Sequence, residues 1–171
     1  MAASIRYIKS AARVRPNWRS NSSSKKRESD FDIAAIYHHW PGRTIAEYVN
    51  TLFALLSMNQ NPLFLDEEYA KRQPLGRRSV IDTLVFSLTV GMTVADMTGN
   101  AIANLGYDSV AFERPLFPGD SLYAESEVLE KRESASQPDR GIVSIETRAH
   151  NQNQERIIIL RRRYLVPKRG A

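Results

Sequence analysis

The chain of 171 residues contains no cysteine. That absence excludes thiol nucleophiles, cysteine-ligated zinc, iron–sulfur clusters and a disulfide scaffold. Histidine is scarce too. Only His38, His39 and His150 occur, and none stands in an H-E-x-x-H arrangement. The eight glycines never adopt the spacing of a dinucleotide or P-loop fingerprint, and there is no G-x-S-x-G elbow. Zinc proteases, nucleotide-fold enzymes and elbow-type serine hydrolases therefore lose their usual support. The longest apolar run, Thr83 to Met97, is about 15 residues and contains Asp96, too short and too polar for a membrane span. What is present, 42% hydrophobic and 25% charged residues, suffices for one domain with a substantial core.

Charge is unevenly placed. Residues 1–27 hold eight of the 24 Lys and Arg and no acid, which leaves 16 basic against 19 acidic side chains in residues 28–171. The net charge of +5 thus belongs to a tail, and the body is mildly acidic. Such a body is a poor match for nucleic acid, whose affinity comes from phosphate neutralisation, so no nucleic-acid partner is expected. In the tail, Arg6, Lys9 and Arg13 recur at helical spacing beside Ile5, Ile8 and Ala12, and Ser20–Ser24 is a polar stretch. The reading is a basic, flexible extension over 1–30 and a single domain over 31–171. An Arg- and Ser-rich, acid-free N-terminus also fits a mitochondrial transit peptide, so the expected location is cytoplasmic, with the mitochondrial matrix as alternative.

In the body, Thr44 and Glu47 have capping-box spacing, and Tyr48, Leu52, Leu55 and Leu56 recur at helical period, predicting a helix over 45–57. Pro62 ends helical space at Asn61; a short helix follows, capped by Asp66, with Glu67/Lys71 and Glu68/Arg72 as i,i+4 pairs. Residues 80–97 are apolar on nearly all sides, which predicts a buried helix, with Gly91 packed close to another backbone. Beyond residue 101 the period changes to two. Strands are expected near 103–113, 121–133, 141–150 and 156–166, separated by turn signals such as Pro118-Gly119-Asp120. One buried helix and a meander of long antiparallel strands make an α+β domain with the sheet wrapped around the helix.

Four segments then carry a resemblance. They are Gly42-Arg43-Thr44-Ile45-Ala46-Glu47, Met58-Asn59-Gln60-Asn61-Pro62-Leu63-Phe64-Leu65-Asp66, Asn100-Ala101-Ile102-Ala103-Asn104-Leu105-Gly106-Tyr107-Asp108 and Phe117-Pro118-Gly119-Asp120-Ser121-Leu122. In this order and spacing the chain, over about residues 42–167, resembles the MaoC-like enoyl-thioester hydratases and dehydratases, nearest the mesaconyl-CoA hydratase branch. The resemblance implies a single hotdog fold, an antiparallel sheet wrapped around a long central helix. It further implies a homodimer or higher homo-oligomer and an acyl thioester substrate on coenzyme A or a carrier protein. No metal and no separate cofactor are implied, since the coenzyme A or phosphopantetheine is part of the substrate.

The family's acid/base pair is a carboxylate and a histidine five positions later; the matching positions here are Asn59 and Phe64. Phenylalanine has no proton to give and no lone pair to accept one. At the start of the central helix, where the family is held to present a backbone N–H to the thioester carbonyl, this chain has Asp82. Asp82 is either a relocated base or a first-turn acid that caps free N–H groups, with the helix dipole lowering its pKa. Asn59 either holds a water or substrate or stabilises its turn. The resemblance thus implies Asp82 and Asn59 as catalytic residues, with Phe64, Asn61, Asn104 and Gly106 lining the substrate site. Arg77, Arg78, Arg161 and Arg163 are candidates to meet coenzyme A phosphates or else a solvated edge. His38 and His39 read as surface or packing residues and His150 as solvent-facing. The expected activity is a hydro-lyase with a non-standard acid/base set; the alternatives are a non-catalytic acyl-binding or assembly subunit and a hotdog thioesterase.

Overall fold

The computed structural model describes residues 26–169. The expectations for the tail before Lys26 lie outside them. Six strands form one sheet: β1 (Ile36–His38), β2 (Arg43–Thr44), β3 (Ala103–Phe112), β4 (Ser121–Glu133), β5 (Arg140–His150) and β6 (Arg156–Pro167). The order is β1-β4-β5-β6-β3, all antiparallel, with β2 continuing along the β1 side of β4. The four long strands lie within two residues of the positions their alternation predicts. β4 shows why: Leu122, Ala124, Ser126 and Val128 are buried on the inner face, while Tyr123, Glu125 and Glu127 alternate outward. On the outer face Arg148 bridges Glu127 and Glu146, and Glu146 also accepts from Arg161 at 2.7 Å.

Four helices precede or cross the sheet: α1 (Glu47–Leu56), α2 (Pro62–Leu65), α3 (Glu67–Lys71) and α4 (Asp82–Met92). Leu84 and Val85 of α4 are packed in one core with Ala124, Ala149, Ile158 and Leu160 from the inner faces of β4, β5 and β6. This is the α+β, sheet-around-helix arrangement expected from the pattern. α1 and α2 join that core through Val49, Phe53, Phe64 and Leu65, and α3 follows α2. At the other end a second core gathers Phe31, Met97, Val128, Val143, Ile145, Tyr164 and Val166. The 3₁₀ turn Glu28–Asp30 reaches this end, where Arg27 donates to the Lys168 carbonyl and Lys26 lies 3.7 Å from the Tyr37 ring centroid.

Local predictions were overridden where distant residues intervened. Thr44 does not cap α1: it is held in β2, opposite Ser121, and their hydroxyls lie 2.6 Å apart. Glu47 instead pairs with Arg78. Glu67 also turns to Arg78, at 2.9 Å, so the pair inside α3 is Glu68–Lys71 at i,i+3. The central helix is shorter than predicted, ending at Met92 and passing into a π turn over Val94–Thr98. It is not buried all round either: Leu84, Val85 and Thr89 are buried, whereas Thr83, Ser87 and Gly91 are exposed. A Cβ at Gly91 would meet nothing within 4 Å, so the expected close backbone approach is absent from the described residues.

Candidate active site

Two segments bring the sequence candidates toward the apolar end of the core. The first runs from Asn59 to Phe64. It leaves α1 through the Asn59 N–H, which donates to the Ala54 carbonyl at 2.9 Å. The Asn59 side-chain oxygen accepts from the Asn61 N–H at 3.2 Å, and that of Asn61 accepts from the Leu63 N–H at 3.0 Å as the N-cap of α2. Asp66 does the same for α3, accepting from the Tyr69 N–H at 3.0 Å. Phe64 is half-buried against the core that holds Ile81, Leu84 and Val85.

The second segment is the approach to α4. Val80 N–H donates to the Leu116 carbonyl at 2.7 Å. Asn50, buried on the inner side of α1, spans the next two backbone groups: its amide nitrogen donates to the Ser79 carbonyl at 3.2 Å and its oxygen accepts from the Ile81 N–H at 2.9 Å. Asp82 follows as the first residue of α4. Its carboxyl makes no hydrogen bond or ion pair among the described residues, so it does not act as the cap that one reading assigned it. It keeps an exposed face, yet burial of the other pushes its pKa up from the ordinary aspartate value. The expected lowering by the helix dipole is thus reversed by desolvation. No acceptor among the described residues takes the first-turn N–H groups of Asp82 and Thr83.

Asn104 and Gly106 lie elsewhere, on the edge strand β3 opposite Tyr164 and Arg163. Gly106 has φ +145° at a register shift, a backbone that an L side chain rarely adopts. The link to α4 is Phe86, one turn beyond Asp82, whose ring meets Tyr107 edge to face at 4.9 Å. The arginines proposed for phosphates are engaged. Arg78 is held by Glu67 and Glu47, Arg77 lies 3.6 Å from the Phe117 ring centroid, Arg161 pairs with Glu146, and Arg163 with Asp108 at 2.8 Å.

A cleft of about 270 Å³ opens beside the Asn59–Phe64 loop, lined by Asn61, Leu63, Tyr69, Gln73, Pro74 and Leu75. Another of about 160 Å³ lies over Arg77, Arg78 and Phe117. Neither is lined by Asn59, Phe64 or Asp82.

The histidines are accounted for without chemistry. His38 is exposed beside Glu125 at 3.2 Å. His150 is half-buried rather than solvent-facing, stacked on Tyr123, and burial lowers its pKa. His39 is buried between Asp96, 3.1 Å from Nδ1, and Ser126, 2.8 Å from Nε2. The sequence Asp–His–Ser has the outline of a hydrolase triad. Ser126 is fully buried and also bonded to Thr147 at 2.7 Å, however, so no substrate reaches it; the network ties the π turn to β4, β5 and the residue that follows β1. Sequence reasoning passed over Asn50. Its signal is a polar residue on the core side of an otherwise apolar helix face.

The MaoC-like domain model matches residues 32–150. Mesaconyl-CoA hydratase of Cereibacter sphaeroides is 33% identical over 142 residues, 83% of this chain and 41% of that protein. The chain spans about two-fifths of the length of the first curated relatives it matches. The unliganded R-hydratase PhaJ1 of Pseudomonas aeruginosa superposes with TM-score 0.70 at 27% identity, covering 84% of this chain and 86% of that one. A Mycobacterium tuberculosis protein with a double hotdog fold gives TM-score 0.77 at 20% identity, over 85% of this chain and 45% of that one, a likeness of fold alone.

Proposed function

Because the chain belongs to the MaoC-like domain family, we propose that it is a hydratase/dehydratase unit for an acyl thioester in which Asp82 takes the acid/base role. The observation that carries this reading is the uncapped carboxyl at the start of α4, its pKa raised by burial, beside two first-turn N–H groups without acceptors. In the hydration direction the carboxylate accepts a proton from water as the water oxygen bonds to the β-carbon, and returns that proton to the α-carbon. Dehydration reverses both transfers. The thioester carbonyl takes up negative charge meanwhile, and donors at a helix N-terminus are suited to hold it. Phe64 supplies apolar wall. Asn59 keeps its amide N–H₂ for a water, since its oxygen is used in the turn. No cofactor beyond the thioester carrier is needed.

Assembly of two copies belongs to the same reading. On the edge strand β3, Leu105, Tyr107, Val110 and Phe112 are 38–45% exposed, more apolar surface than an unpaired sheet edge normally shows. Val110→Lys should shift a dimer toward monomer in light scattering; an unchanged mass would place the contact elsewhere.

A non-catalytic acyl-binding subunit is the second reading, favoured by Phe64 and by the use of Asn59 in its turn. Mass spectrometry of short, branched and dicarboxylic enoyl-CoA and hydroxyacyl-CoA thioesters separates the two. A change of one water that disappears in Asp82→Asn supports the hydro-lyase. Release of free coenzyme A makes it a thioesterase, and binding without turnover makes it a subunit.

A further inference from the structure

The two halves of the candidate site lie on different elements: Asn59 and Phe64 follow α1, and Asp82 opens α4. We infer that Asn50 is the positioning residue that sets the register between them, an inference that rests on the hydro-lyase reading for its catalytic consequence. Its amide bridges two backbone groups on either side of Val80, the carbonyl of Ser79 and the N–H of Ile81. Both bonds are buried and span 29 and 31 residues of chain, so nothing local imposes them. An amide is the group that fits. It offers a donor and an acceptor from one rigid plane, whereas a carboxylate leaves the Ser79 carbonyl unpaired and an apolar residue leaves both groups unpaired.

The clamp reaches each half by a short path. On α1, Ala54 lies one turn beyond Asn50, and its carbonyl takes the Asn59 N–H that starts the loop. On the other side Ile81 is the residue before Asp82, and its carbonyl accepts from Leu84 and Val85 in the first turn of α4. Arg78, between Glu47 of α1 and Glu67 of α3, reinforces the joint from the surface. Val80 anchors it to Leu116 from the opposite side. With Asn50 removed, the α4 entrance keeps its apolar packing and loses the bonds that fix its angle to α1. A displacement of about 1 Å at a reacting group is enough to cost about 10²-fold in rate.

The test compares full-length wild type, Asn50→Ala and Asn50→Asp, with mesaconyl-CoA and crotonyl-CoA as probes and backbone amide exchange as an activity-independent readout. The expected result for Asn50→Ala is a kcat lower by about 10²-fold with KM within about threefold, because placement of the proton donor is felt in the transition state. Exchange at the Ile81 amide should quicken by at least about fivefold while the strands stay protected. Asn50→Asp should recover both readouts as pH is lowered through its own titration, since a protonated carboxyl again offers one donor and one acceptor, each compared with wild type at the same pH. This arm also decides the case if Asn50→Ala does not fold. Wild-type kcat in Asn50→Ala, or exchange that quickens throughout the sheet, overturns the inference. If wild type turns over neither probe, the hydro-lyase reading is what fails. Acceleration confined to residues 81–83 then still supports the clamp, and its absence refutes it.

Discussion

The loop from Asn59 to Phe64 and the first turn of α4 treat their polar groups in opposite ways. In the loop, the Asn59 and Asn61 oxygens each take a backbone N–H, and Phe64 is an aromatic ring packed on the core. At α4 the carboxyl of Asp82 and the first N–H groups are left without partners among the described residues. A residue used to satisfy backbone donors is poorly available for proton transfer, whereas one left unsatisfied and partly desolvated is available and has its proton affinity raised.

The sharpest way to break this comparison is Asp82→Asn. Turnover should fall by about 10²–10⁴-fold, the usual contribution of a positioned acid or base, in a steady-state assay. Retained turnover would mean that Asp82 is not the acid/base group. The pH profile sharpens the same point. A base must be deprotonated, and burial raises the Asp82 pKa, so activity should fall with acid along a limb lying above the ordinary aspartate value. A limb at or below that value would mean another group titrates.

Smaller effects belong to the loop. Phe64→Ala removes a half-buried ring from the core and should cost about 1–3 kcal/mol in denaturant unfolding, less than for a fully buried phenylalanine. A change within error would mean that the ring does not anchor the loop. Asn61→Ala removes the α2 cap and should cost about 1 kcal/mol by the same measurement, with kcat changed little. A kcat loss as large as that of Asp82→Asn would show that the loop's polar groups do more than hold backbone.

The smallest effect concerns Asp82 and stability. A folded-state pKa above the unfolded one means that the native state binds the proton more tightly, so stability is present at low pH and is lost as pH rises through the raised value. Asp82→Asn should be more stable than wild type at neutral pH, by about 0.5 kcal/mol or less given its exposed face. The difference should vanish below the ordinary carboxylate pKa. Thermal melts across pH would detect the opposite sign.

Much of this was legible in the residues. Period-two alternation located β3 to β6, and the Asp66 signal marked α3, whereas α2 was not anticipated, Pro62 having been read only as the end of the preceding helix. The failures share a cause. Thr44-x-x-Glu47 is a sound capping box by itself, but β2 pairing claims Thr44 and Arg78 claims Glu47. Gly91 suggested a close contact that no neighbour among the described residues makes.

The sequence by itself determined the long-strand pattern, the short helix capped by Asp66 and the uneven placement of charge along the chain. These follow from periodicity, backbone preference and residue chemistry, which act over a few residues. Only the tertiary structure decided that Asn50 bridges to Ser79 and Ile81, that His39 is sealed between Asp96 and Ser126, and that burial raises rather than lowers the proton affinity of Asp82. Each of these depends on partners or atoms brought together from distant parts of the chain. Hydrogen bonding and desolvation respond to what is near in space, and a local pattern does not encode that.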